Sequence, residues 1–343
     1  MDEQASSLTV LDEIPAGLLD VPANELCQHL SGPTLIRLAG KRDDVLLVSV
    51  LLHGNETTGW DAARELIQEY QGTELPRALY LFIGNITAAA EGQRVLQGQV
   101  DFNRIWKKDS PTAESKMALE LLTILEKAPL FAAIDIHNNT GLNPHYACIN
   151  KLERPFLHLA TLFGRTVVYF LQPDSVMSLA LSELCPSTTI ECGKAEDKRG
   201  TEHAKEFINA CLHLHDFPQH DVAEHDIDVF QTVAIVKVPQ DVEFGIENPD
   251  AMLNFIGNMD RLNFQELPAG TVLAHSNCGE SACLQAINEA GEDVADQYFA
   301  VEKGQLRFSV SLMPSMLTLD EKIIRQDCLC YLMERLNYPN LKS

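Results

Sequence analysis

Residues 45–52 read VLLVSVLL, a continuous apolar run with no polar alternation. Such a run is typical of a strand buried on both faces of a parallel sheet. Further strand-like runs lie at 78–86, 131–137, 166–171 and 187–192. A chain with several such strands needs helices to cover both faces of the sheet, which limits the folds open to it.

Helix-like segments lie between the first three of these strands. Thr57 and Thr58 are suited to cap a helix that runs to about Tyr70, and a second helix is predicted over 113–127. Strands that alternate with helices predict an α/β fold, with a mostly parallel or mixed sheet flanked by helices.

The character of the sequence changes near residue 215, where a polar, proline-containing stretch reads HLHDFPQHDVAEHD. We therefore predict two domains, a catalytic α/β domain over 1–215 and a smaller β-rich domain over 216–343. A C-terminal helix is expected at about 319–336. Strands of the second domain are expected at 229–238, 271–274, 297–301 and 306–311.

The chain of 343 residues has 26 basic and 49 acidic side chains, a formal net charge of −23. An acidic surface repels phosphate backbones and anionic lipid, which argues against nucleic acid and membrane partners. No secretory signal or membrane-spanning apolar run is evident, and the nine cysteines form no CxxC pair. These features favour a cytoplasmic protein without a disulfide framework or a thiolate zinc ribbon, and they leave a homo-oligomer open.

A first cluster of chemically capable residues follows the strand at 45–52. His53 and Glu56 stand three residues apart in the sequence HGNE, at the carboxyl end of that strand. Open α/β sheets place their ligand sites at such ends, so both side chains are able to turn toward one point. Gly54 supplies backbone freedom in the turn between them.

His137 ends another apolar strand, in the sequence DIH. Together with His53 and Glu56 it makes a His₂Glu set, which suits a catalytic zinc ion that keeps one position open for water. Asp135, two residues earlier on the same strand face, is placed to orient the His137 imidazole. The sequence predicts one zinc ion at this site.

Glu191 follows a third apolar strand and precedes glycine in the sequence TIECG. A buried glutamate there needs a partner, and beside metal-activated water it has a task as general base. In the sequence DFNR, Asn103 and Arg104 are suited to bind a substrate carboxylate. Arg94 lies upstream, where it is able to stabilise a developing oxyanion.

These four segments, in this order, resemble the succinylglutamate desuccinylase/aspartoacylase family, zinc hydrolases related to the M14 metallocarboxypeptidases. The family motifs HxxE, N-R after an acidic-apolar dipeptide, D-x-H and E-x-G stand here as HGNE, DFNR, DIH and IECG. The stretch DIHNNT is especially similar to the aspartoacylase form of the histidine motif. The resemblance covers roughly residues 45–200.

The resemblance implies a zinc carboxypeptidase-like fold with a β-rich C-terminal region and assigns roles to individual residues. It implies that His53, Glu56 and His137 are the zinc ligands and that Glu191 is the general base. It further implies that Asn103 and Arg104 bind the substrate carboxylate and that Arg94 stabilises the oxyanion. His145 and Tyr146, which follow the zinc strand, are placed to line the substrate pocket.

The function predicted is hydrolysis of an amide bond in a small carboxylate-bearing substrate, by an N-acyl amino acid deacylase. A metallocarboxypeptidase that acts on short peptides needs the same carboxylate anchor and stays open. A non-catalytic zinc-binding protein on the same fold is a further alternative. A rival metal site is the histidine tract of the polar stretch, formed by His213, His215, His220 and His225.

Overall fold

The computed structural model describes residues 8–107, 112–279 and 282–337. These residues form two units. The first comprises the described residues up to Asn138 together with His145–Asp228, and the second comprises Asn139–Pro144 and the described residues from Val229 onward. The assignment of residues 1–215 and 216–343 to separate domains stays a prediction.

The first unit contains a mixed sheet of eight strands in the order β1-β2-β4-β3-β5-β8-β6-β7. Neighbouring strands are parallel except for the antiparallel pairs β2–β4 and β8–β6. The strands are β1 (Thr9–Leu11), β2 (Thr34–Leu38), β3 (Val45–Val50), β4 (Ala78–Ile83), β5 (Leu130–His137), β6 (Tyr146–Ile149), β7 (Thr166–Tyr169) and β8 (Ser187–Glu191).

Six α-helices and four short 3₁₀ segments belong to the same unit. The helices are α1 (Thr58–Glu69), α2 (Ile86–Ala90), α3 (Ala113–Leu125), α4 (Arg154–Phe163), α5 (Met177–Ser182) and α6 (Lys198–His213). The 3₁₀ segments are Leu18–Asp20, Ala23–Gln28, Phe102–Arg104 and Glu224–Asp226. The helix after β3 begins where predicted, but the Thr57 side chain makes no capping hydrogen bond.

Burial explains the apolar runs. Every residue of β3 is buried, and so are the last six residues of β5, as expected for strands with both faces of the sheet covered. Trp60 and Leu66 on one face of α1 are also fully buried. The predicted α/β class with a mixed, mostly parallel sheet is confirmed, and the parallel strands β3, β5 and β8 end at the same edge.

The second unit is rich in β-structure, as predicted. Its strands are β9 (Asp228–Lys237), β10 (Phe244–Ile246), β11 (Leu253–Phe255), β12 (Val272–Ser276), β13 (Gln285–Ile287), β14 (Phe299–Glu302), β15 (Gln305–Phe308), β16 (Met313–Ser315) and β17 (Cys330–Leu336). Strands β10, β11, β12, β15 and β14 form one sheet in that order, while β9 pairs with β13 and β17. Two short helices, α7 (Ala295–Tyr298) and α8 (Glu321–Gln326), and a 3₁₀ segment at Met259–Leu262 complete it.

The predicted helix at 319–336 is wrong over most of its length. Helix α8 stops at Gln326, and β17 (Cys330–Leu336) pairs antiparallel with β9. Cys330, Leu332 and Met333 are buried in that pairing. Pairing and burial of apolar side chains outweigh local helix propensity here.

Cys278 and Cys283 form a disulfide in the second unit, and the other seven cysteines are not disulfide-bonded. The expectation of no disulfide framework rested on the lack of CxxC pairs. Cys278 and Cys283 are five positions apart, a separation that matches no motif used in that prediction. In the part of the chain that the structure describes, no helix combines the length and apolar character needed to cross a bilayer. The cytoplasmic location stays a prediction.

Candidate metal centre and active site

The three predicted metal ligands meet at one edge of the sheet. His53 and Glu56 lie in the turn between β3 and α1, and His137 is the last residue of the neighbouring parallel strand β5. One potential ligand atom from each of the three lies within 4.8 Å of the others. All three side chains are buried.

The turn that carries the first two ligands needs glycine because of a close backbone approach. A Cβ atom on Gly54 would lie 2.2 Å from the backbone of Ala88 and Ala89 in α2. The Gly54 N–H also donates to the carbonyl oxygen of Arg94, at 3.1 Å. The conformation is not left-handed, so close approach explains this glycine better than backbone freedom does.

The Glu56 carboxylate lies between the two imidazoles. Its Oε1 atom is 2.8 Å from Nδ1 of His53, and its Oε2 atom is 2.7 Å from Nδ1 of His137. The two rings meet edge to face, with centroids 5.0 Å apart. Both Nδ1 atoms and the carboxylate therefore converge on one small volume.

The far nitrogen of each imidazole contacts a further carboxylate. Nε2 of His53 is 3.1 Å from Oδ1 of Asp101, and Nε2 of His137 is 2.8 Å from Oδ2 of Asp135. Metal-binding histidines usually contact an outer carboxylate or carbonyl in this way, since it fixes the ring and leaves the other nitrogen for the ion. The donor set thus fits a divalent metal ion.

The carboxylates and imidazoles at this centre shift one another's pKa values. Burial favours the neutral form of Glu56, but the imidazoles of His53 and His137 outweigh it and hold the pKa of Glu56 well below its usual range. Burial likewise disfavours the charged form of His137, but Asp135 and Glu56 raise its pKa well above the ordinary value. A carboxylate-rich centre of this kind favours a cation.

Arg94 also contacts the centre. Its Nη1 atom lies 3.3 Å from Oε1 of Glu56, and its Nη2 atom lies 3.3 Å from Oδ2 of Asp101. The guanidinium is mostly buried. Arg94 therefore lies beside a candidate metal ligand, and its assignment to the oxyanion stays a prediction.

Asn103 and Arg104 belong to the short 3₁₀ segment Phe102–Arg104. Asp101 begins it, since its Oδ1 atom accepts from the Asn103 N–H at 2.7 Å. The Asn103 Oδ1 atom accepts from the backbone N–H of Met177 at 3.0 Å, and Arg104 Nη1 donates to the Asn103 carbonyl at 2.9 Å. Burial raises the pKa of Asp101, but His53, Arg94 and Arg104 together lower it overall, so both arginines lie within electrostatic reach of this carboxylate.

Glu191 is the last residue of β8 and is buried. In the parallel pairing of β5 with β8, it stands opposite His137. In the antiparallel pairing of β6 with β8, it stands opposite Tyr146. Paired residues on neighbouring strands share a face of the sheet, so Glu191 lies beside the candidate metal centre.

His145, just before β6, packs on the helices instead of on the metal ligands. Its Nδ1 atom lies 2.9 Å from Nδ1 of His203 on α6, and the rings of His145 and His203 stack near Phe163. Burial, followed by the neighbouring His203, lowers the pKa of His145. On its other side, a Cβ atom on Gly193 would lie 3.2 Å from Nε2 of His145, so this ring borders the turn after Glu191.

Two residues of the site had no role in the sequence analysis. Asp101 stood only as part of DFNR, although its acidic character beside a histidine-rich centre was a usable signal. Asn138 follows His137 directly, and its backbone N–H donates to Glu56 Oε2 at 3.1 Å. Its role depends on contacts between distant segments, which no local pattern reveals.

The histidine tract does not form a rival centre. The rings of His213, His215, His220 and His225 are exposed. Among the residues that the structure describes, the group of three or more potential ligands within reach of one ion is His53, Glu56 and His137.

Residues 43–217 match the family model described as the succinylglutamate desuccinylase/aspartoacylase catalytic domain. The chain belongs to the succinylglutamate desuccinylase/aspartoacylase family. The resemblance drawn from the four motifs is thereby confirmed. Membership of the succinylglutamate desuccinylase/aspartoacylase family supports an enzyme of the amide-bond deacylase type.

Solved structures of several family proteins share the fold. The succinylglutamate desuccinylase from Chromobacterium violaceum has a TM-score of 0.56 at 19% identity, over 87% of this chain and 86% of that one. Murine aminoacylase 3 has a TM-score of 0.54 at 16% identity, over 87% and 97%. The succinylglutamate desuccinylase/aspartoacylase from Rhodobacter sphaeroides has a TM-score of 0.57 at 13% identity, over 88% and 89%. A comparison with curated protein sequences gave no significant match.

Proposed function

We propose that this chain is a zinc-dependent hydrolase that cleaves the amide bond of a small carboxylate-bearing substrate, in the manner of an N-acyl amino acid deacylase. The observation that carries the proposal is the convergence of His53, Glu56 and His137 within 4.8 Å. The buried Glu191 stands opposite His137 on the neighbouring strand, at the same edge of the sheet.

The donor set supports zinc as the ion. Two imidazole nitrogens and one carboxylate are the protein ligands of many hydrolytic zinc sites, which keep a further position for water. When bound, zinc polarises the scissile carbonyl and lowers the pKa of a coordinated water to about 7. Asp101 and Asp135 hold the rings of His53 and His137 in the orientation that this requires.

Glu191 is the proposed general base. Its carboxylate removes a proton from the attacking water and later delivers that proton to the departing amine. Glu56 lies between two imidazoles that lower its pKa. It is therefore a weak base and does not compete with Glu191 for the proton of the water. Two carboxylates in different surroundings thus take two different roles.

The remaining side chains position the substrate. Arg104 and Asn103 anchor the substrate carboxylate, since a guanidinium beside an amide donor suits its two oxygens. Arg94, next to Glu56, stabilises the negative charge that develops on the carbonyl oxygen. Tyr146 stands opposite Glu191 and His145 borders the turn after Glu191, so both are proposed to lie at the margin of the substrate site although His145 packs on the helices.

The test is a panel of N-acyl amino acids, with acetyl, succinyl and longer acyl groups, assayed beside short peptides. We expect the zinc-loaded protein to release the amino acid from at least one acyl compound, and a chelator to abolish this release. Glu191→Gln should retain one zinc ion per chain and lose about 10²–10⁴-fold in kcat.

Each contrary result has a definite meaning. Full activity of Glu191→Gln would refute the assignment of the base. Zinc binding without turnover of any amide would favour the non-catalytic alternative. Release of C-terminal residues from peptides, with no deacylation, would identify a carboxypeptidase.

A further inference from the structure

Asn138, the residue directly after β5, is buried and uses each polar atom of its side chain. Its Oδ1 atom accepts from the Thr58 N–H at 3.2 Å. Its Nδ2 group donates to Thr58 Oγ1 at 2.9 Å and to the Gly193 carbonyl at 2.8 Å. With the backbone N–H bound to Glu56, this one residue contacts the turn of a candidate ligand and the turn after Glu191.

The turn after Glu191 is tightly packed. Gly193 has a φ of 70°, a left-handed conformation that favours glycine. The Cys192 N–H donates to the His137 carbonyl at 3.0 Å, and a Cβ atom on Gly200 at the start of α6 would lie 2.3 Å from the Cys192 carbonyl oxygen. A shift of this turn therefore moves the backbone that carries Glu191.

We propose that Asn138 is a positioning residue that sets the distance between the general base Glu191 and the metal ligand Glu56. The inference rests on the function proposed above. Its backbone N–H holds the Glu56 carboxylate, and its side chain holds the turn after Glu191 through the Gly193 carbonyl.

Only an amide of this length meets the three side-chain contacts at once. The Thr58 N–H needs an acceptor, whereas Thr58 Oγ1 and the Gly193 carbonyl are met by donors. A carboxylate in place of Asn138 keeps the acceptor but turns an oxygen toward the Gly193 carbonyl oxygen. Asn138→Asp therefore breaks the link to the turn with almost no change in volume.

The backbone and the side chain of Asn138 contact different parts of the site, so a side-chain substitution should affect turnover and zinc binding differently. Asn138→Asp and Asn138→Ala both keep the backbone N–H, so the contact with Glu56 persists and zinc binding is retained. The turn after Glu191 loses its tether, and the base moves relative to the attacked carbonyl. A misplacement of about 1 Å costs on the order of 10²-fold in rate.

The experiment compares Asn138→Asp and Asn138→Ala with the wild type and with Asn150→Ala. Asn150 is also a buried asparagine of the first unit, but its Nδ2 group donates to the Phe170 carbonyl, away from both turns. The measurements are kcat and KM on the best N-acyl amino acid, the zinc dissociation constant from chelator competition, and hydrogen exchange of the peptide spanning 189–195.

We expect both Asn138 variants to lose about 10–100-fold in kcat, with KM and the zinc dissociation constant within about threefold of wild type. Exchange in 189–195 should be faster. The Asn150 control should match the wild type in kcat, zinc affinity and exchange.

Unchanged kcat and unchanged exchange in Asn138→Asp would overturn the inference. So would a loss of zinc affinity as large as the loss of kcat, since the residue would then support the metal ligands alone. If Asn138→Ala does not fold, Asn138→Asp decides. If the wild type turns over no amide, the proposed function fails, and exchange in 189–195 still decides whether Asn138 holds this turn.

Discussion

The Nε2 atom of His137 lies 2.8 Å from the Oδ2 atom of Asp135, two residues earlier on the same strand. Alternate residues of a strand share a face, so this contact follows directly from the sequence DIH. It directs the opposite nitrogen, Nδ1, toward Glu56 at 2.7 Å. In the neutral ring, the Asp135 carboxylate favours a proton on Nε2, which leaves Nδ1 as the nitrogen that the proposed metal ion would use.

Asp135→Asn tests this arrangement. The amide keeps an acceptor for the Nε2–H group but removes the negative charge that raises the basicity of the ring, so the zinc dissociation constant should rise about 10–100-fold. Chelator competition measures it. Asp12→Asn, an exposed aspartate paired with Arg37, should leave the constant unchanged. Equal zinc affinity in Asp135→Asn and wild type would contradict the role.

A second prediction concerns the location of the metal. His53→Ala removes one of three ligands and should reduce bound zinc from one ion per chain to well below half an ion after dialysis. His220→Ala changes an exposed ring in the polar stretch and should keep the full complement. Metal analysis by atomic emission reports both. Retained zinc in His53→Ala, with loss in His220→Ala, would move the site to the histidine tract.

The sequence predicted the candidate metal centre because both of its histidines stand at the ends of apolar runs. His53 follows β3 and His137 ends β5, and these parallel strands are neighbours, so their carboxyl ends meet. Neither Asn138 nor His203 was predicted as part of the site. Their contacts join segments 55 to 80 residues apart, and such contacts depend on how the elements pack.

The prediction of strands and helices likewise fails where an element depends on a distant partner. The run at 45–52 is short, contains three valines and is followed by a turn with glycine, which favours a buried strand over a buried helix. The C-terminal residues 319–336 carry a pattern that also fits a helix, and the pairing of β17 with β9 decides for a strand after Gln326. Nothing local to β17 indicates this partner, which lies about one hundred residues earlier in the chain.

Gly54→Ala tests the packing of the ligand turn. The added Cβ atom would lie 2.2 Å from the backbone of Ala88 and Ala89, so the turn or α2 must shift. We expect a loss of about 1–3 kcal/mol in the free energy of unfolding, together with weaker zinc binding. Gly32→Ala is the matched control, since nothing lies within 4 Å of its added Cβ. Calorimetry should show a lower melting temperature for the first variant alone.

The last prediction separates substrate anchoring from catalysis. If Arg104 binds the substrate carboxylate, Arg104→Ala should raise KM about 10–100-fold, the usual cost of a lost hydrogen bond to a charged group. Arg104→Lys keeps a point charge without the planar pair of donors, so its KM should lie between those of the wild type and Arg104→Ala. Arg37→Ala, which changes a partly exposed arginine paired with Asp12, is the control.

A substrate whose carboxylate is converted to a neutral amide makes the test of Arg104 specific. The wild type should bind this analogue poorly, and Arg104→Ala should bind it no worse than the wild type does, because the charge that Arg104 recognises is already gone. An equal loss on both substrates would show that Arg104 acts on the site through Asp101, whose pKa it helps to lower, and not through the substrate. The ratio of the two KM changes therefore distinguishes an anchor from a structural cation.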